Sequence, residues 1–309
     1  MKLTRLLFGA ALALSAAIAP AGAAERISIG TGGTGGLFYV IGAGMAEVLN
    51  KHMKDAFARA EVTGASIENI RRVAVDQMTF GFSSSSTLYE AKNGEGAFKQ
   101  ALPVAAMAYL YPAVLQIATI EGTGIKSMAD LAGKRINLGP PGSNSAVLAQ
   151  RLLEAHGVFD PSKVQFLSYT EGTNALLNQN LDATVVLAGA PTSALIDLGA
   201  QRKMRLLSLD ESKIGDLLKK YPFYQVYSIK PGTYSGQTEP VAVINDPATI
   251  FTKADANADL IYAITKTIFD NLPELAQVHP QAKAISLETA TKTPIDLHSG
   301  AKRFFDEKK

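Results

Sequence analysis

The chain of 309 residues contains neither cysteine nor tryptophan. Without cysteine there can be no disulfide, thiolate metal site, iron–sulfur cluster or cysteine nucleophile. Stability must come from burial, and a chain of this length can bury one or two good cores. A dominant charge is missing too: 30 Lys and Arg stand against 28 Asp and Glu. That balance gives no reason to expect nucleic acid or an acidic membrane as partner. Neither Gly-x-Ser-x-Gly nor His-Glu-x-x-His occurs, and His52, His156, His279 and His298 are scattered. No pair of carboxylates stands out in the loops. The chain is therefore read as a non-enzyme that needs no cofactor and no metal. The rival reading, an exported α/β enzyme, would require a nucleophile–base pair that the sequence does not display.

Only one apolar run is long, and it lies at the start. Lys2 and Arg5 precede Leu6 to Ala19, and Ala21-Gly22-Ala23 follows as an A-x-A cleavage pattern. Residues 1–23 are expected to be a signal peptide, cleaved after Ala23 or Ala24. The run is short for a membrane span. The expected location is the periplasm, as a soluble monomer.

Directly after the strand-like Arg26 to Ile29 comes Gly30-Thr31-Gly32-Gly33-Thr34-Gly35-Gly36. Leu37, Ile41, Met45, Val48 and Leu49 then recur at helical spacing. Glycines allow close approach of the backbone, and a helix start offers free N–H groups and a positive dipole end. The combination suits an anion. Gly30-x-Gly32-x-x-Gly35 also matches a dinucleotide fingerprint. However, the acidic ribose partner should end the second strand, and Glu61 begins it while Thr63-Gly64 ends it. Ser66 is read as the cap of a helix with Ile67, Ile70 and Val73 inward. Phe80 and Phe82 form a third strand leading to Ser83-Ser84-Ser85-Ser86.

A second unit repeats this plan. Ser127 to Asp130 resembles a capping box, and Arg135 to Leu138 reads as a strand. Gly139-Pro140-Pro141-Gly142-Ser143-Asn144-Ser145 then opens a helix. A strand near Val164 to Leu167, a helix from Asn174 and the strand Ala183 to Leu187 follow, with Pro191 suited to a first helical turn. Alternating strands and helices predict a mainly parallel α/β sheet in each of two lobes, with a ligand cleft at the strands' carboxyl ends. Lobe I is expected to comprise residues 24–112 and 231–309, and lobe II residues 113–230. The crossings then fall near Tyr111-Pro112 and Tyr227 to Pro231, and Val241 to Ile244 returns to the first lobe.

Several segments together resemble the TAXI family of extracytoplasmic solute receptors, which serve TRAP transporters. They include Ile29 to Gly36, Thr63 to Asn69, Leu110-Tyr111-Pro112, Gly133-Lys134-Arg135 with Gly142-Ser143, Ala188-Gly189-Ala190-Pro191 and Tyr221-Pro222-Phe223-Tyr224. Pro231-Gly232-Thr233-Tyr234, His279-Pro280 and Pro294 to Ala301 extend the resemblance to the tail. It implies a two-lobed periplasmic-binding-protein fold of type II and delivery of a small solute to membrane subunits without ATP. Glutamate-like amino acids and 2-oxoglutarate-like dicarboxylates are the ligand classes it implies. Ala113 and Gln116 stand where the family often shows Glu and His, which favours a dicarboxylate or 2-oxo acid. A receptor that senses its ligand without transport is the other binding role.

The residues expected to hold the carboxylate are Gly32, Gly33, Thr34, Gly35, Gly142, Ser143, Asn144 and Ser145, with hydroxyls of Ser84 and Ser85. Tyr39 and Tyr111 are expected to line its apolar middle, and Ala190 completes the set. Arg71 and Arg72 are read as a solvated helix face. Burying a carboxylate without several donors would be too costly.

Overall fold

The computed structural model describes residues 25–309, so the expected signal peptide lies outside the described residues. Alternation at Ile27 and Ile29 makes β1 (Glu25–Gly30), and the glycine loop leads into α1 (Leu37–His52). The five apolar residues spaced along α1 are all buried, as their spacing predicts. β2 (Ala56–Glu61), α2 (Ser66–Ala74), β3 (Phe80–Ser84), α3 (Ser85–Asn93) and β4 (Val104–Tyr111) follow. The four-serine run is thus not a loop: Ser83 and Ser84 end a strand, and Ser85 and Ser86 open a helix.

After Pro112 and Ala113 come β5 (Val114–Ile120), β6 (Ile136–Asn137), α4 (Asn144–Ala155) and β7 (Val164–Gln165). Next are α5 (Tyr169–Leu177), β8 (Ala183–Ala188), α6 (Ser193–Gln201), β9 (Met204–Leu206) and α7 (Gly215–Lys220). The chain ends with β10 (Gln225–Ile229), β11 (Val241–Asn245), β12 (Ala248–Lys253), α8 (Ala258–Asp270), α9 (Leu272–Leu275) and α10 (Ser299–Asp306). Helix α5 starts earlier than expected because Ser168 and Glu171 form a capping box. Pro191 does not open a helix: the Ala190–Pro191 bond is cis, and α6 begins at Ser193.

The strands form two mixed sheets flanked by helices. The first has the order β2-β1-β3-β12-β4, and the second runs β10-β11-β5-β8-β6-β7, with β9 also on β5. The βαβ units supply the parallel pairs, β1 with β2 and β3, and β6 with β7 and β8. Strands next to the crossings run antiparallel.

One boundary differs from expectation. Val241 to Asn245 pairs with β10 and β5, so it belongs to the second sheet, and the second crossing is Asp246-Pro247 rather than Tyr227 to Pro231. Alternation identifies a strand but carries no information about which sheet it joins. The two crossings lie side by side: Asp246 N–H donates to Ala113 O at 2.8 Å. Beyond β12 the tail does return to the first sheet, through a bridge between Ala106 and Leu297. A continuous core joins Ile29, Phe80 and Phe82 to Leu115, Val185 and Val186. Each such fully buried side chain contributes roughly 1.5–3 kcal/mol, so a disulfide-free fold of this size is well supported.

Candidate functional site

Between the sheets lies a pocket walled by both. Gly32, Gly33, Gly36, Leu37, Phe38, Ala65, Ser66 and Ser84 come from the first; Pro140, Ser143, Asn144, Ser145, Tyr169 and Leu187 come from the second. Helices α1 to α5 all begin on it, through Leu37, Ser66, Ser84, Asn144 and Tyr169. No backbone carbonyl among the described residues accepts from the amides of Gly32, Gly33, Leu37, Phe38, Ser66, Asn144 or Ser145. Those of Leu37, Phe38, Ser66, Asn144 and Ser145 are the orphan donors that the starts of α1, α2 and α4 leave. Gly32 and Gly33 add theirs from the glycine loop, and all belong to residues around one small space. Among the described residues, no Asp, Glu, Lys, Arg or His lines it. Leu37, Phe38, Ala65, Pro140 and Leu187 make the rest of the wall apolar. The space within is narrow: positions open to the centre of a water molecule amount to about 30 Å³. The two sheets are therefore drawn tightly together over the pocket. A broader concavity at Arg26, Phe57, Arg59 and Gln77 runs along the outer edge strand β2, and no helix start converges on it.

Of the residues expected from sequence, Gly32, Gly33, Ser84, Ser143, Asn144 and Ser145 meet at this pocket. The others do not line it. Thr34 is exposed at its rim and Tyr39 is half-buried. A side chain on Gly35 would run into Thr170 Oγ1 and Ala194, so this glycine serves close approach of the second unit. Ser85 Oγ shares a hydrogen bond with Thr249 Oγ1 at 2.9 Å, turned into the first sheet. Gly142 O accepts from Ile67 N–H at 3.0 Å and from Glu68 N–H at 3.3 Å, capping α2 from across the cleft. Tyr111 is fully buried with its hydroxyl unpartnered, and burial pushes that hydroxyl far above its usual range. Ala190 is half-buried in the turn before α6.

The hydroxyls also play a different part from the one expected. Ser143 Oγ donates to Pro140 O at 2.6 Å and caps Ala146 N–H, while Ser145 Oγ donates to Leu138 O at 2.9 Å. Asn144 Nδ2 donates to Asp246 Oδ2 at 2.6 Å. Side-chain donors at the start of α4 are thus spent on the protein, while the backbone amides of Asn144 and Ser145 stay unclaimed. Ser66 is no cap either; its Oγ accepts from Ser84 N–H at 3.0 Å and ties α2 to the end of β3.

Sequence reasoning missed Tyr169, Leu187, Phe38 and Ala65. The capping box at Ser168 and Glu171 was the available signal for Tyr169, since it puts that residue on a helix start. Tyr169 OH donates to Leu187 O at 3.0 Å and accepts from Leu187 N–H at 3.2 Å; burial pushes its hydroxyl up to about 12. It is a fixed, neutral wall. Gln116 and Ala113 are both buried and neither lines the pocket. Gln116 instead accepts from Tyr234 OH at 2.5 Å and donates to Ala188 O and Thr192 Oγ1 at 3.3 Å each. This set holds the Ala188–Pro191 turn, whose Gly189 packs so closely on Leu37 and Gln281 that a Cβ there would sit 2.7 Å from each.

A second set of contacts spans the sheets on the side of the crossings. Arg151 of α4 pairs with Glu90 of α3 at 2.7 Å, donates to Tyr224 OH at 2.7 Å and lies 4.0 Å from the centre of the Tyr221 ring. Tyr89 of α3 meets Phe223 at 5.8 Å between ring centres. Asp246, in the crossing itself, is fully buried and burial raises its carboxyl to about 6, against the hydrogen bonds from Ser86 and Asn144.

The match to the NMT1-like family runs over residues 29–308. The chain belongs to this family. Among solved structures, this NMT1-like protein is similar to MatC from Rhodopseudomonas palustris with bound malate, at 13% identity and a TM-score of 0.55, over 92% of this chain and 97% of that one. It is similar to the periplasmic aliphatic sulphonate binding protein SsuA from Escherichia coli, at 17% identity and a TM-score of 0.50, over 92% of this chain and 83% of that one. A binding protein component of an ABC phosphonate transporter from Pseudomonas aeruginosa matches at 11% identity and a TM-score of 0.55, over 85% and 80% of the respective chains. At these identities the likeness is one of fold: the type II periplasmic-binding-protein arrangement of two mixed sheets flanked by helices.

Proposed function

We propose that this protein is an extracytoplasmic solute receptor that closes on a small carboxylate and delivers it to the membrane subunits of a transporter. In this reading the sheets and their helices are two lobes, residues 25–111 with 248–309 and residues 113–245, hinged at the paired crossings. The observation that carries it is the ring of unclaimed amides from the glycine loop and three helix starts, around a pocket that no charged side chain lines among the described residues. Amide donors and dipole ends favour an anion. An α-ammonium would find no carboxylate in the wall, so a 2-oxo acid or dicarboxylate fits better than an amino acid. Small size follows from the narrow space. The malate, sulphonate and phosphonate in the names of the similar structures are small anions and support the same class. Assignment to a TRAP transporter and to its TAXI receptors rests on the motifs in the sequence.

A thermal-shift screen with succinate, malate, 2-oxoglutarate, glutamate and glutamine tests the ligand class. A dicarboxylate or 2-oxo acid at about a hundred times its dissociation constant should stabilise the fold by roughly 2.7 kcal/mol, and the two amino acids by less. If no carboxylate shifts the transition, the reading is wrong.

A further inference from the structure

Asp246 is a buried carboxylate that pairs with no cation among the described residues. Ser86 N–H donates to Oδ1 at 3.0 Å, and Oδ2 accepts from Ser86 Oγ and from Asn144 Nδ2. Ser86 stands on α3 of the first lobe, Asn144 on α4 of the second, and Asp246 between them in a crossing. The groups that face it are Glu90 from α3, which has the same sign of charge, and Tyr224 from the segment before β10, whose hydroxyl is near both Asp246 and Ser86. Arg151 of α4 is the nearby cation, and Glu90 and Tyr224 already engage it. The other crossing contributes only the Ala113 carbonyl, which accepts from Asp246 N–H. Opening the lobes would withdraw Asn144 and Tyr224 together and admit water to the carboxylate.

We propose that Asp246 gates closure: the ionised acid resists being covered by Asn144 and Tyr224, so the empty receptor stays open until ligand or a proton offsets that cost. The inference rests on the cleft being one that opens and closes. A carboxyl in water titrates near 3.9, whereas burial raises Asp246 in the closed arrangement to about 6. The closed form therefore holds the proton more tightly. Acidification through 6 towards 4 favours closure, and that advantage is lost as the pH rises through 6, above which the balance is flat.

Interlobe distances measured by electron–electron resonance on the ligand-free protein test this. The chain lacks cysteine, so Gln77→Cys and Lys163→Cys can carry spin labels without background. Both residues are exposed, and they precede β3 and β7, strands that lead towards pocket residues Ser84 and Tyr169. The ratio of short to long distances should rise about tenfold from pH 7.5 to pH 5, a change equal to one unit of pKa. Asp246→Asn should show the short distance equally at both values. Ser86→Ala removes a donor to the carboxylate, so it should lower the short population at pH 7.5 and recover it at pH 5. A wild-type distribution that ignores pH, an Asp246→Asn distribution that still follows it, or a Ser86→Ala distribution identical to wild type overturns the gate. A pH-dependent distance in a protein that binds no carboxylate would sink the ligand assignment and leave the gate standing.

Discussion

Replacing Arg151 by alanine should weaken carboxylate binding by about two orders of magnitude while the protein stays folded. Glu90 is buried and Arg151 nearly so, with side-chain exposures of 6% and 13%, and their ion pair crosses from α4 to α3. Removing one member of a buried pair costs roughly 3–5 kcal/mol, because the other charge is left without compensation. Here the stranded Glu90 can be hydrated if the lobes part, so the penalty falls on the closed form rather than on folding. About 3 kcal/mol against closure corresponds to roughly 150-fold in affinity. The double replacement of Glu90 by Gln and Arg151 by Met should recover much of the loss, since no unpaired charge then remains. Calorimetric titration with the best carboxylate of the screen, beside urea unfolding, separates the cases. Unchanged affinity in Arg151→Ala would remove this pair from the closing contacts.

Gly64→Ala should have an effect of similar size for a steric reason. A Cβ at Gly64 would lie 2.5 Å from Pro141 O and 2.9 Å from Glu68 Oε2. Glu68 can swing away, but Pro141 is backbone of the opposite lobe, one residue before the Gly142 carbonyl that caps α2. The lobes would have to stand off by about 1 Å, and overpacking of this kind costs roughly 1–3 kcal/mol, up to on the order of 100-fold in affinity. The open form has no such clash, so urea unfolding should move by less than about 0.5 kcal/mol. A variant with wild-type affinity would mean that these loops do not meet when ligand is bound.

Much of this architecture is legible in the residues themselves. Helical spacing marks α1 with its buried face and alternation marks β1 and β3, while β8 stands out as a short apolar run and is buried along its whole length. The glycine loop and Gly142 to Ser145 mark the two sides of the pocket for the same local reason: each is a loop opening a helix. What period and turn chemistry cannot carry is pairing between distant segments. Pairing alone puts β11 in the second sheet rather than the first, and nothing in Asn245-Asp246-Pro247 by itself marks Asp246. Its chemistry arises only when Ser86 and Asn144, far apart in sequence, close over it. Asn144 looked like a ligand donor because amides at helix starts often are, yet its side chain belongs to Asp246. Glycines 35, 64 and 189 read as ligand approach or simple turns; in the fold they make room for the opposite lobe.

The central claim is that unclaimed amides of both lobes hold the ligand's oxygens. Amide chemical shifts of the labelled protein, recorded while succinate or 2-oxoglutarate is added, address it most directly. The account predicts saturable changes at Gly32, Gly33, Leu37, Phe38, Ser66, Asn144 and Ser145, with one common dissociation constant. Saturable changes confined to another surface, such as the concavity at Arg26, Phe57 and Gln77, would contradict it.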